Sequence, residues 1–360
     1  MENLLKTQTK EYGIGLDIIR IIAMFLVIVV HSTSFYGFLE EDISSFSYVI
    51  VSAGRYFAFT CVPLFILLTG YLNCKKTPTI KYYLKIIRII IEFCLCGIII
   101  ALFYSIYFNY QTPAYEIFKK ILYFSYPKYS WYIKMYVGIF LIAPFLNYII
   151  NNISKKQAVV FIIFLLLIFS QPNITDYWQI AYPLMYYFIG AILYVYPVKI
   201  KKIWLLLIII VTCFLQVLIY VYPVLPRYLV ETHNNIGCAI ITISLFLMFY
   251  KIKICVTTKG KLITAKIARL VANASLSTYL ISEIFESLTT KAFSEALLFT
   301  FSQRLPHLLY ITPLKFITAV ACGIIIHIIA LLLYELVLIV CRKIKLRFQN
   351  QKTIDNAENF

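Results

Sequence analysis

The sequence predicts an all-α polytopic membrane protein of about ten transmembrane helices with both termini cytoplasmic, and three observations lead there. Of 360 residues, 62% are hydrophobic and only 14% charged, more apolar surface than a soluble domain hides. Ten apolar segments recur, near 16–36, 48–72, 83–108, 130–150, 157–171, 178–196, 203–222, 236–250, 271–290 and 311–341. With the N-terminus inside, 23 of the 33 Lys and Arg fall on cytoplasmic segments, 7 on outer ones and 3 within spans, the asymmetry of the positive-inside rule. The net charge of +17 therefore sets topology rather than announcing nucleic acid.

One transmembrane domain is expected over 1–348, followed by a polar, disordered cytoplasmic tail over 349–360. The first apolar run continues past His31 with no small-residue cleavage site, so it reads as a retained helix rather than a signal peptide. The nine cysteines sit mostly in apolar runs without a paired CxxC, as small hydrophobes; neither a metal nor a disulfide framework is expected. The loops are too short to house a catalytic domain, which places any chemistry among the helices.

The first segment carries Asp17, Arg20 and His31 within an apolar run. Arg20 and His31 are eleven positions apart, which puts them about 20° apart in direction and about 16 Å apart along the axis. Asp17 lies on the same side, three residues before Arg20. A charge facing lipid costs about 2.5–3.5 kcal/mol, so this stripe is expected to line a cavity. His31 at the outer end has the chemistry of a general base; a hydrogen bond to a neighbouring helix is the alternative. Arg20 suits a phosphate or a thioester carbonyl, or else snorkels to headgroups.

In the second segment Arg55 falls at the depth of His31, as an oxyanion or acidic-sugar ligand or as an interfacial anchor. Lys85 and Arg88, spaced i, i+3 after Lys75, Lys76 and Lys81, make either an anion-binding mouth or a plain topological cluster. The fourth segment opens on Ser130-Trp131-Tyr132 and places the cation Lys134 one turn into the span. The ninth holds Tyr279, Ser282, Glu283 and Glu286. In the tenth, His327 and Glu335 lie eight apart on nearly one face; His327 reads as a satisfied helix contact, and Glu335 as a partner for Arg20 or Lys85. His233 and His307 fall in loops and receive no role.

Together these stretches resemble the acyltransferase 3 family. Its first helix carries a basic residue, ten intervening residues and a histidine, as Arg20 and His31 do here after Leu16-Asp17. Val62-Pro63 through Thr69-Gly70-Tyr71 resembles its second helix, with Thr69 in place of a serine. Lys85 and Arg88 match a basic pair that is usually two arginines, and Trp131-Tyr132 matches the start of its fourth helix. Ser277-Thr278-Tyr279-Leu280-Ile281-Ser282 resembles its ninth, with Ser282 where the family has histidine. The resemblance implies transfer of an acetyl group from cytoplasmic acetyl-CoA, the co-substrate, to a hydroxyl of a cell-envelope glycan or its lipid-linked precursor. It implies His31 as base with Arg20 and Asp17 beside it, and Arg88 and Lys85 on the donor. Arg55, Trp131, Lys134, Tyr279, Ser282 and Glu283 become acceptor or oxyanion candidates. The expected setting is a bacterial plasma membrane, with acyl-CoA, glycan and membrane lipids as partners and no nucleic acid. A glycan transporter or flippase, and a succinyltransferase of the same family, fit the same residues.

Overall fold

The computed structural model describes residues 10–35, 46–170, 181–221, 232–256, 258–292 and 301–358. It is 83% helical, in keeping with an all-α membrane protein. Six segments among the described residues are long and apolar enough to cross a membrane: Gly15–Ser34, Val49–Asn73, Ile80–Phe108, Ser130–Asn151, Lys202–Ile219 and Pro306–Lys343.

The helices follow in order as α1 (Gly15–Phe35), α2 (Phe46–Ala58), α3 (Cys61–Asn73), α4 (Ile80–Tyr83), α5 (Lys85–Phe108), α6 (Ala114–Leu122) and α7 (Ser130–Asn151). Then come α8 (Lys155–Ser170), α9 (Tyr182–Val195), α10 (Lys202–Val221), α11 (Ile236–Phe249), α12 (Lys259–Asn273), α13 (Ser275–Ala292) and α14 (Phe301–Glu358). Two strands, β1 (Lys10–Gly13) and β2 (Lys253–Val256), pair antiparallel with Lys10 opposite Val256.

Several boundaries differ from expectation, each for a local reason. The segment 48–72 is two helices, because Pro63 has no N–H to return to the carbonyl of Phe59. The His233 Nδ1 donates to that carbonyl instead, at 2.8 Å, and burial pushes this loop histidine down to about 4. The same solution recurs inside α7, where Pro144 orphans the Phe140 carbonyl and the Tyr82 hydroxyl donates to it at 2.7 Å. The basic stretch 251–269, expected as a loop, forms β2 and most of α12, so the ninth apolar segment starts at Ser275 rather than at 271. The last helix begins ten residues before the expected 311, and its backbone stays helical to Glu358, through the stretch expected as a disordered tail. The expected first residues of the sixth segment, 178–180, lie outside the described residues.

The packing centre is the crossing of α3 on α9. A methyl group on Gly70 would run into the Tyr187 carbonyl, and one on Gly190 into the Leu67 carbonyl, so the two backbones touch. Beside the crossing, buried Asn147 of α7 donates to the carbonyls of Asn73 (2.7 Å) and Lys76 (2.9 Å) and accepts from the Tyr187 hydroxyl (2.7 Å). These bonds supply partners for the end of α3, whose last carbonyls have none within the helix. At the other corner, the first N–H groups of α1, from Ile14 and Gly15, both donate to the Ile252 carbonyl at 3.1 and 3.0 Å.

Gly190→Ala is expected to force α3 and α9 apart and to cost about 1–3 kcal/mol of stability, the usual price of overpacking a tight core. Gly54→Ala, with open space around it, should leave stability unchanged. Thermal unfolding of the two variants in detergent makes the comparison, and equal midpoints would contradict the backbone contact.

Candidate active site

A cavity of about 590 Å³ runs between α1, α3, α5, α7 and α13, within the range of small-molecule sites. The helices alternate in direction, so one end of the cavity gathers Arg20 from early α1, Asn73 from the end of α3, Lys85 and Arg88 from early α5, and Tyr334 from late α14. The other end reaches Val27 and Tyr279. Three cations, Arg20, Lys85 and Arg88, and one carboxylate, Glu92, are on its wall, which makes the Arg20 end a site for anions.

Glu92, four residues after Arg88 on the same face of α5, is 2% exposed. It accepts from the Ser277 N–H at 3.1 Å and from the Ser277 hydroxyl, and His327 Nδ1 lies 3.3 and 3.4 Å from its two oxygens. On the far side of the imidazole, His327 Nε2 is 3.2 Å from Arg88 Nη2. A buried carboxylate is expensive unless it is paired and hydrogen-bonded, and this one has partners from both α13 and α14.

A second set of charges adjoins Arg20. Buried Asp17 is shared by Arg20, at 3.8 Å, and by Arg269 of α12, at 3.4 Å. The Arg269 guanidinium also lies 4.3 Å from the centre of the Tyr12 ring in β1, a cation–π contact. The two-stranded sheet thus pins α12, whose last residues, Ala272 and Asn273, line the cavity.

His31 stands one helical turn, about 6 Å, beyond Val27. Its ring packs at a tilt of 36° against Tyr129, centroid to centroid 4.4 Å, and among the described residues neither of its nitrogens has a hydrogen-bond partner. Tyr129 in turn packs against Tyr279 at 5.3 Å and donates its hydroxyl to Glu286, which Lys128 approaches at 3.6 Å. His31 does not itself line the cavity; the contacting rings of Tyr129 and Tyr279 connect it to the wall, which Tyr279 lines. Lys315 of α14 is also buried here, 3.4 Å from the Ser32 hydroxyl.

The structure brings Arg20, Lys85, Arg88 and Tyr279 to one cavity and sets the other expected positions elsewhere. Arg55 is 5% exposed and donates to the Val30 carbonyl and to the hydroxyls of Thr33 (3.0 Å) and Ser34 (2.7 Å), tying α2 to the end of α1. Trp131 is 43% exposed and stacks on His233, while Lys134 is exposed. The Ser282 hydroxyl returns to the Tyr279 carbonyl of its own helix at 2.7 Å. Glu283 accepts the Lys128 N–H at 2.8 Å and lines a separate cavity of about 320 Å³ with Tyr104, Tyr110 and Tyr126. Glu335 is exposed and pairs with neither Arg20 nor Lys85.

Sequence reasoning missed Glu92, Tyr129, Arg269 and the full engagement of His327. For Glu92 a signal existed, an acid four residues after a cation inside an apolar run. Ser277→Ala removes a hydroxyl donor from that carboxylate and should cost about 1.5–3 kcal/mol, the worth of a hydrogen bond to a charged group. Ser282→Ala should change stability little. Denaturation of both variants in detergent checks the contrast.

A family model described as an acyltransferase domain matches residues 14–334. No curated protein and no solved structure matches the chain. The matched stretch opens at Ile14, which anchors the start of α1, and closes at Tyr334 on the cavity wall, so it contains every residue lining the cavity. Most of the chain is thus accounted for by one family, and the protein belongs to the acyltransferase 3 family, as a membrane acyltransferase.

Proposed function

We propose that this membrane acyltransferase takes an acetyl group from acetyl-CoA at the cytoplasmic face and delivers it to a hydroxyl of a cell-envelope glycan or its lipid-linked precursor. The observation that carries the reading is the cavity itself, with three cations at one mouth and His31 one turn beyond its other end. The charge asymmetry of the loops supports assigning the Arg20 end, and both termini, to the cytoplasm of a bacterial plasma membrane.

In this reading Arg88, Lys85 and Arg20 meet the donor's phosphates, and Arg88 offers the planar fork that matches an oxyanion pair. The pantetheine arm rises along α1, over most of the roughly 16 Å between Arg20 and His31. The acceptor hydroxyl oxygen attacks the thioester carbonyl as His31 takes its proton. A carbon–oxygen bond forms, the carbon–sulfur bond breaks, and the departing thiolate takes the proton back from His31, leaving an ester and free CoA. The tilted contact with Tyr129, itself held through its hydroxyl by Glu286, supports the imidazole, whose nitrogens have no hydrogen-bond partner among the described residues.

Two outcomes follow. His31→Gln keeps a hydrogen-bonding side chain but no usable base, and should lower acylation of the envelope glycan by about 10²–10⁴ at unchanged protein abundance. Near-normal ester content, measured by base-labile acetate release from cells, would remove His31 from the chemistry. Arg88→Glu should raise the KM for acetyl-CoA far more than that for the acceptor; steady-state kinetics with each substrate varied in turn would show it.

A further inference from the structure

The donor reading gives Arg88 a task but leaves its neighbours unexplained. His327 is 1% exposed and lines no part of the cavity, yet it stands between the cavity's arginine and a buried carboxylate. We propose that His327, oriented by Glu92, is a positioning residue that fixes the Arg88 guanidinium for the phosphates of the acyl donor. The inference rests on the reading that Arg88 meets those phosphates.

Donor and acceptor chemistry determines the arrangement. A guanidinium has only N–H donors, so the His327 Nε2 that faces Arg88 Nη2 at 3.2 Å must be the unprotonated, accepting nitrogen. The imidazole proton then sits on Nδ1, which faces Glu92 at 3.3 and 3.4 Å, and an ionised carboxylate only accepts. Each partner thereby fixes the sense of the next bond. A protonated His327 would turn an N–H toward a guanidinium that has no lone pair to receive it.

Glu92 is itself immobilised by the backbone N–H and hydroxyl of Ser277, so α5, α13 and α14 all hold one end of the chain of bonds. One Arg88 N–H is used on His327. Among the described residues the others have no protein partner, and Arg88 lines the cavity beside Lys85 and Arg20, which supply further positive charge. An arginine held this way has already lost the rotamer freedom that a free one gives up on binding an anion. Lys85, whose compact ammonium accepts any direction of approach, needs no such support.

The test compares binding of CoA with binding of pantetheine, which shares the arm but carries no diphosphate, by calorimetry on the full chain in detergent. His327→Leu should weaken CoA binding about tenfold, the share of one immobilised side chain, and leave pantetheine binding unchanged. His327→Gln, whose amide oxygen can accept from Arg88, should recover most of the loss. Should His327→Leu fail to fold, Glu92→Gln replaces it, with the same expected selective loss for CoA. Equal weakening of both ligands, or no weakening of CoA, would reduce His327 to a packing contact and overturn the inference. Arg88→Gln separates the two layers of the argument. Selective loss of CoA in Arg88→Gln but not in the His327 variants would sink the positioning role alone, whereas no selective loss in Arg88→Gln, or no CoA binding by the wild type, would sink the donor reading and this inference with it.

Discussion

The demand of one buried carboxylate organises the half of the bundle that lines the cavity. Glu92 sits where water is scarce, so its charge has to be answered by protein, and it is answered by Ser277 from α13 and His327 from α14. Helix α5 is thereby held in register with α13 and α14, which lie far from it in the sequence. The wall they form carries Arg88, and behind it lies the cavity. Replacing the carboxylate by a hydrocarbon would relieve its desolvation, but among the described residues would leave only the Arg88–His327 bond as a polar tie between these faces of α5 and α14.

The same accounting governs the backbone. In an apolar surround each orphaned carbonyl needs a donor, and the two prolines at 63 and 144 each leave one. His233 answers the first and Tyr82 the second, so two loop or short-helix residues become structural through the bonds they complete. Where α3 meets α9, the constraint is steric instead. Glycine at 70 and 190 lets two backbones touch, and dispersion between them replaces the hydrophobic drive that lipid does not provide.

Much of this was legible before any coordinates. In their described parts the ten apolar segments are helices or helix pairs, six of them long and apolar enough to cross a membrane, and the acid, arginine and histidine of the first segment mark the helix that flanks the cavity. Arg88 and Lys85 were visible as an i, i+3 pair and do line the cavity mouth together. What stayed hidden depends on tertiary pairing. His327 and Glu92 are 235 residues apart, so neither periodicity nor spacing links them. Arg55 has the same chemistry whether it faces a substrate or the end of α1, and only packing selects the latter. α12 is a helix too basic to stand out as an apolar segment, and the pairing of β1 with β2 joins strands far apart in the chain.

The helix α14 leaves the cavity at Tyr334 but continues to Glu358, a further 24 residues, or roughly 36 Å of rod. Among the described residues none of that stretch lines the cavity, and it lies beyond the segment shared with the family. A fused reporter or tether at the far end of the rod would stand roughly 36 Å from the chamber.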